Sequence, residues 1–526
     1  MLCTTFFATI ALSPPSASAR DLTDDEAAAV LDGIFAGRPL TALALLDSLE
    51  SVCDGEPLYL IMRARCYQER IPMDDADTGF GEQMAKPSID ALERCIDVCS
   101  ERLDTDVPDP KYYFYRGWAW MAKAYVRSMT RSLFKAGRDA GHGKKDLERY
   151  LAIDPSNSTA SGLLGSFLYF ADTIPDAFKF ISKLLMLPTG DRVRGIELLE
   201  AAVAGDGLLA TDWRLILYNV YFYFEGRYEE GLAGLQTMND RYPSFPRTAI
   251  PLAISRVWAP RLAAKHNNMV MGTVNRLYDA PHQEVDWNTV YLVKFFRAFG
   301  DRYCYHTGAA LAGLRKIIDE GPKHPDWVVS SAQLELGRLY ASRGDRRAAK
   351  ELFETVKETS SVRDLRDEAK INLEAMDKYP RYVDRPSPQM DAWVTTLYRA
   401  NPDSLRVLKT RFRHISSGSL IAKFYLAEAL LLSGELETAL GVYYEVIQAD
   451  APSWDHTYQM IGSTRIAEIY AANGRYESAA RFAAYAMNFY HREYLVDWVI
   501  EGRKRYFERL ANGEETSPPT LLTSRH

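Results

Sequence analysis

The sequence predicts an all-α superhelical solenoid of stacked helix hairpins, and three observations predict it. Apolar residues recur with a period of 3.6 through most of the chain, and no sustained two-residue alternation appears. The 526 residues include 31 Tyr and 22 Phe, rings suited to wedging helices apart. Hairpin-sized segments return along the chain, each with apolar flanks that only a stacked neighbour covers. The clearest spans residues 331–356. Leu336, Gly337 and Tyr340 share one stripe of a first helix, Gly344 marks the turn, and Ala349, Phe353 and Val356 answer from a second helix. Gly337 and Ala349 let the two backbones approach, and Tyr340 and Phe353 fill the space around that contact.

Taken in order, a periodic segment at residues 26–36 ends at Gly37 and pairs with 40–49, where Pro39 suits a helix start. Residues 57–69 pair with 87–103 across the irregular stretch 71–86. Residues 111–136 read as one long aromatic-rich helix, on which Lys123, Arg127, Arg131 and Lys135 at four-residue spacing form a basic stripe. Residues 144–153 close that unit. The most unusual segment, 162–187, is an apolar run stopped at Asp172 and broken by Pro175, after which Phe178, Ile181, Leu184 and Leu185 resume on one face. A second clear hairpin spans 213–243, with Gly231 inside its second helix at a modest cost in helix propensity. Residues 249–279 are less regular, and 287–299 with 309–318 form a degenerate pair. Residues 380–389 hold three prolines and little apolar content, which reads as a linker. Hairpins return at 422–452 and 463–487, and the helix 495–510 has the charged outer side of a cap. The organisation is therefore a signal segment (1–19), a decorated repeat region (20–379), a linker (380–391), C-terminal repeats with a cap (392–510) and a disordered tail (511–526).

Gly337, Tyr340, Gly344, Ala349 and Phe353 resemble the pattern of the tetratricopeptide repeat (TPR). The other hairpins follow it through Tyr218, Phe222 and Gly226, through Ala427, Gly434 and Ala439, and through Ala467, Gly474 and Ala479. The resemblance implies a right-handed superhelix whose first helices line a concave groove. Residues 162–203 with 213–225 resemble the central part of the tetratricopeptide repeat 39 and fungal inclusion-clearance family, which brings no catalytic residue to this chain.

The short apolar run Leu2–Leu12, followed by Ala17-Ser18-Ala19, fits a secretory signal cleaved after Ala19, although no Lys or Arg precedes Arg20. An exported protein, periplasmic or secreted, is the expectation. Five cysteines then remain, too few for a disulfide framework at this length. Cys95 and Cys99, one helical turn apart, read as small buried hydrophobes. A net charge of −7 predicts no general affinity for nucleic acid. Residues 137–146 nearly spell a phosphate loop, but the glycine spacing is wrong and Lys145 stands where a hydroxyl is needed. With no dinucleotide fingerprint, nucleophile elbow or paired-histidine zinc helix in the sequence, no cofactor, metal or catalytic residue is expected.

The functional expectation is a non-enzymatic adaptor holding a protein or peptide partner in its groove. Groove residues lie on first helices but off the packing stripe, and by that rule they are Trp213, Tyr223, Phe299, Arg302, Arg338 and Glu428. Two alternatives stand beside it. One is a membrane-peripheral or lipid-handling protein that uses the 162–187 hairpin with the basic stripe. The other is a small-ligand receptor on helical repeats, disfavoured by the missing lipid-anchoring cysteine.

Overall fold

The computed structural model describes residues 20–71, 78–173, 189–258, 287–323, 327–384, 389–489 and 496–516. Among them there are 23 α-helices and no strand. The first hairpins are α1 (Asp24–Phe35) with α2 (Pro39–Cys53), α3 (Pro57–Gln68) with α4 (Thr78–Leu103), α5 (Lys111–Met129) with α6 (Leu133–Leu151), and α7 (Ser158–Asp172) with α8 (Arg192–Ala204). Next, α9 (Ala210–Asn219) runs on into a π-helical turn, Val220–Phe224, and pairs with α10 (Tyr228–Arg241), followed by α11 (Pro246–Trp258). Beyond these lie α12 (Trp287–Tyr303) with α13 (Thr307–Glu320), α14 (Trp327–Ser342) with α15 (Arg346–Thr359), and then α16 (Arg363–Lys378), α17 (Met390–Leu397) and α18 (Pro402–Ile415). The chain ends with α19 (Leu420–Leu432) and α20 (Leu436–Ile447), α21 (His456–Ala472) and α22 (Tyr476–Ala486), and α23 (Val496–Asn512). Helices packed on their neighbours in sequence make this an all-α helical-repeat fold of TPR-like hairpins.

One turn geometry is stamped repeatedly into the array. Gly344, Gly434 and Gly474 have positive φ, and each closes its first helix with the same pair of bonds. In the first of them Gly344 N donates to Ala341 O and Asp345 N to Tyr340 O. Arg131 (φ 58°) and Tyr305 (φ 57°) make the same turn without a glycine. The turn at Arg131 splits the single helix expected over 111–136 into α5 and α6, which correspondingly moves Lys135 onto a different helix from Lys123 and Arg127. Further upstream, α4 begins at Thr78, so part of the stretch expected to be irregular is helical. Its added length is held by Ala85, buried against Ile71 and Val126, and by Ser88 Oγ, which donates to Ala64 O at 3.1 Å.

Gly231 is explained by the π-turn. The widened backbone bulges toward α10, and a Cβ at Gly231 would lie 2.8 Å from both Phe222 N and Tyr218 O, so the close approach excludes the better helix former.

Of the expected linker (380–391), residues 385–388 lie outside the described residues, and residues on either side of them are packed. Asp384 is buried and accepts from Ser419 Oγ at 2.5 Å and Ile421 N at 3.1 Å, capping α19. Tyr382 lies edge-on to Trp454 with ring centroids 6.3 Å apart, and Met390 is buried. One hydrophobic core therefore runs from Phe222 to Ile500 with no break at residue 380. A second core, from Leu22 to Phe245, fills the N-terminal hairpins and holds Cys53, Cys66, Cys95 and Cys99 as free thiols.

The later hairpins close on themselves. Tyr228 Oη donates to Val499 O at 3.2 Å, Arg503 donates to Gly226 O, and Arg509 reaches Glu225 Oε2 at 2.8 Å across 284 residues of sequence. A Cβ at Gly502 would lie 2.4 Å from Tyr223 O, so α23 sits directly on the π-turn.

Candidate functional site

The concave face of this closed section is where a groove is expected, and the chain's own side chains fill it. Arg302 at the end of α12 donates to Glu335, to Tyr303 Oη at 2.8 Å and to Trp454 O at 2.7 Å. Arg338, one turn after Glu335 on α14, donates to Glu335 Oε1 at 2.6 Å and to Glu368 Oε2 of α16 at 2.7 Å. On the opposite wall Glu428 of α19 accepts from Tyr398 at 2.9 Å, Tyr443 at 2.5 Å and Arg465 Nε at 2.9 Å. Arg465 continues to Glu468 at 3.3 Å, and Glu468 to Arg503 of α23 at 3.4 Å. Two ladders of alternating charge result, Arg302–Glu335–Arg338–Glu368 and Glu428–Arg465–Glu468–Arg503. Each is neutral in sum, and every side chain in them is 8% exposed or less.

Burial of this depth is tolerated because each charge meets an opposite charge within 3.4 Å. Burial works to raise the Glu335 carboxyl, but Arg302 and Arg338 outweigh it and hold the group below its ordinary range. Glu368, at the ladder's end, is raised by burial, which Arg338 offsets only in part. The two walls are tied to each other directly. Tyr425 Oη donates to Tyr303 O at 2.6 Å, Thr457 Oγ1 to Tyr303 Oη at 3.0 Å, and Ser453 Oγ to Asn372 Oδ1 at 3.0 Å.

None of the six residues assigned to an open groove is on the surface. Arg302, Arg338 and Glu428 are rungs of the ladders. The Trp213 indole lies flat on Gly162, where a Cβ would come within 2.3 Å of the ring. Tyr223 packs on Phe222 with centroids 4.9 Å apart, and Phe299 on Tyr303 at 4.5 Å. The physical reason is closure, since a first helix in a closed turn buries its inner face as well as its packing stripe.

The basic stripe does not assemble either. Lys123 is buried and paired with Glu93 at 2.8 Å, Arg127 pairs with Asp139, and Arg131 occupies the turn between helices. Of the 162–187 hairpin, the part on α7 is packed, with Leu163, Leu164, Leu168 and Tyr169 buried; residues 174–187 lie outside the described residues, as do 1–19. Residues 137–146 belong to α6, a continuous helix rather than a phosphate-binding loop. Among the described residues no group of three or more His, Cys, Asp or Glu is placed to hold a metal ion, and no helix is long and apolar enough to cross a membrane.

Sequence reasoning missed the junction at Glu225. This residue is buried and accepts from Tyr169 at 2.6 Å, Arg192 at 2.9 Å and Arg509 at 2.8 Å, joining α7, α8 and α23 at one point. Beside it, two exposed rings, Phe170 and Trp498, are bridged by the half-buried Phe224. Phe170 is 6 Å or less from Phe224, at 5.9 Å between centroids, and Phe224 is 5.4 Å from Trp498.

No protein-family model and no curated protein matches the sequence. Among solved structures, human IFIT1, as a dimer with m7Gppp-AAAA, is similar over 82% of this chain and 96% of its own, at 16% identity and a TM-score of 0.32. The P58(IPK) TPR domain is similar over 78% of this chain and 100% of its own, at 12% identity and a TM-score of 0.20. At such values nothing about site or ligand passes from those proteins to this one. The repeated turns and stacked hairpins themselves give this chain a TPR-like helical-repeat fold.

Proposed function

We propose that the chain is a non-enzymatic scaffold that holds a protein partner on its exposed aromatic edge rather than in a concave groove. The observation that carries this reading is the ring chain at the Glu225 junction, where Phe170 is 42% and Trp498 51% exposed and the half-buried Phe224 lies between them. Large exposed apolar side chains gathered at one place mark contact surfaces. The rigid base below them limits the ordering cost of binding. A pull-down with chain starting at residue 20 tests the reading. Wild type is expected to retain a protein partner that the folded Phe170→Ala/Trp498→Ala variant loses; equal retention by both would remove the edge from consideration. Retardation of single-stranded RNA would replace the protein partner with a nucleic acid, against the net charge of −7. Flotation with anionic liposomes would favour the lipid-handling alternative.

We place the protein outside the cytoplasm, periplasmic or secreted, on the apolar Leu2–Leu12 run and the Ala17-Ser18-Ala19 site. N-terminal sequencing of the natural protein is expected to begin at Arg20, and an intact Met1 start would refute the placement.

A further inference from the structure

Asp455 ends the short turn Ser453–Asp455 that leads into α21. It is 1% exposed, and neither of its carboxyl oxygens receives a hydrogen bond. This turn is the seam between the two walls of the closed section. Trp454 O accepts from Arg302, and Ser453 Oγ donates to Asn372 Oδ1; one turn later Thr457 donates to Tyr303.

The groups that act on Asp455 come from every element around it. Asp384 and Tyr382 lie on the segment after α16, Ser342 ends α14, Arg302 ends α12 with Tyr305 in the following turn, and Tyr458 is on α21. The Tyr382 and Ser342 hydroxyls act from outside ordinary hydrogen-bond geometry. Asp384 is engaged with Ser419 and the α19 N-terminus and adds negative charge. Arg302, the cation among these groups, is already held by Glu335 and Trp454 O. The neighbouring His456 turns its ring to Ala451 O at 3.1 Å. A neutral carboxylic acid suits this environment, whereas a carboxylate there is buried beside another, favoured only by Arg302 and by the Tyr382 and Ser342 hydroxyls, none of which meets it in ordinary hydrogen-bond geometry.

We propose that Asp455 is a proton-controlled latch on the concave face: protonated, it lets the two walls meet, and ionised, it forces the seam apart and uncovers the charge ladders. Burial, with Asp384 beside it, pushes the carboxyl up to about 7. Because the folded value lies above the unfolded one of about 4, the seam keeps its full stability below about pH 4 and loses it as pH rises through about 7. This inference goes beyond the scaffold reading and holds whether or not the aromatic edge binds a partner.

Hydrogen exchange of the whole chain at pH 5.5 and 8.5, corrected for intrinsic exchange, tests it. Peptides covering residues 453–461 and 419–425 are expected to lose about tenfold or more of their protection at the higher pH, while those of α5 and α6 keep theirs. Asp455→Asn is expected to remain protected at both values, which separates Asp455 from His456 as the titrating group. Unchanged wild-type protection at the seam would overturn the latch without any variant, and so would an Asp455→Asn protein that keeps the wild-type pH dependence.

Discussion

The N-terminal hairpins and the closed C-terminal section use the same building unit but place their charges differently. In the first, pairs such as Arg94 with Asp54, and Lys86 with Asp90, sit between side chains 43–71% exposed, and deeper ones such as Arg65 with Glu69 and Arg127 with Asp139 still keep the cation 13–18% exposed. In the second, Arg465 with Glu428, and Arg302 with Glu335, are 3–5% exposed. The difference follows from curvature. Where successive first helices return on themselves, the face that an open solenoid offers to solvent becomes a second interior. A polar inner face survives there only if opposite charges alternate across it.

The largest expected effect separates the two regions. Arg465→Met leaves Glu428 buried without its cation and Glu468 with Arg503 alone, and is expected to destabilise by about 3–5 kcal/mol in denaturant unfolding. Arg94→Ala in the exposed pair is expected to cost at most about 1 kcal/mol. Equal losses would erase the distinction drawn here. Next, Gly337→Leu overpacks a first-to-second helix contact, since a Cβ alone would lie 2.6 Å from Phe353 Cε1, and about 2–4 kcal/mol of destabilisation is expected. A wild-type melting temperature for Gly337→Leu would mean that the α14–α15 contact is misplaced.

A smaller effect concerns the seam. At pH 8, Asp455→Asn is expected to raise stability by roughly 2 kcal/mol and at pH 4 to leave it unchanged, because the raised carboxyl destabilises only where it ionises. Urea titrations at the two pH values check the sign. The smallest effect sharpens the account of the degenerate hairpins. Arg131→Gly removes a left-handed conformation from a non-glycine residue and is expected to stabilise by about 1 kcal/mol or less in thermal unfolding.

The hairpin fold was legible in the sequence because a helix pair needs its small residue, ring and turn glycine at set spacing. The unit around Gly337, Gly344 and Phe353 is built as those residues require. The turns at Arg131 and Tyr305 were not legible, since neither residue advertises positive φ. Closure was hidden for a different reason: contacts such as Arg509 with Glu225 join residues 284 apart, and no local period reports them. A trace of it is present nonetheless. The ladder partners Arg302 and Glu335, Arg338 and Glu368, Glu428 and Arg465, and Glu468 and Arg503 are 33, 30, 37 and 35 residues apart. Opposite charges thus recur about one repeat apart on first helices. Read as a pattern, that complementarity marks an inner face that pairs with itself, whereas residue-by-residue reading turned Arg302, Arg338 and Glu428 into a groove.

The central claim is that α23 folds back onto the π-turn and closes the later hairpins. A double-mutant cycle on Glu225 and Arg509, with Glu225→Gln and Arg509→Gln alone and together, tests it most directly through unfolding free energies. Closure predicts a coupling of about 1–3 kcal/mol between two residues that only the closed chain brings into contact. Losses that add to within about 0.3 kcal/mol would contradict it.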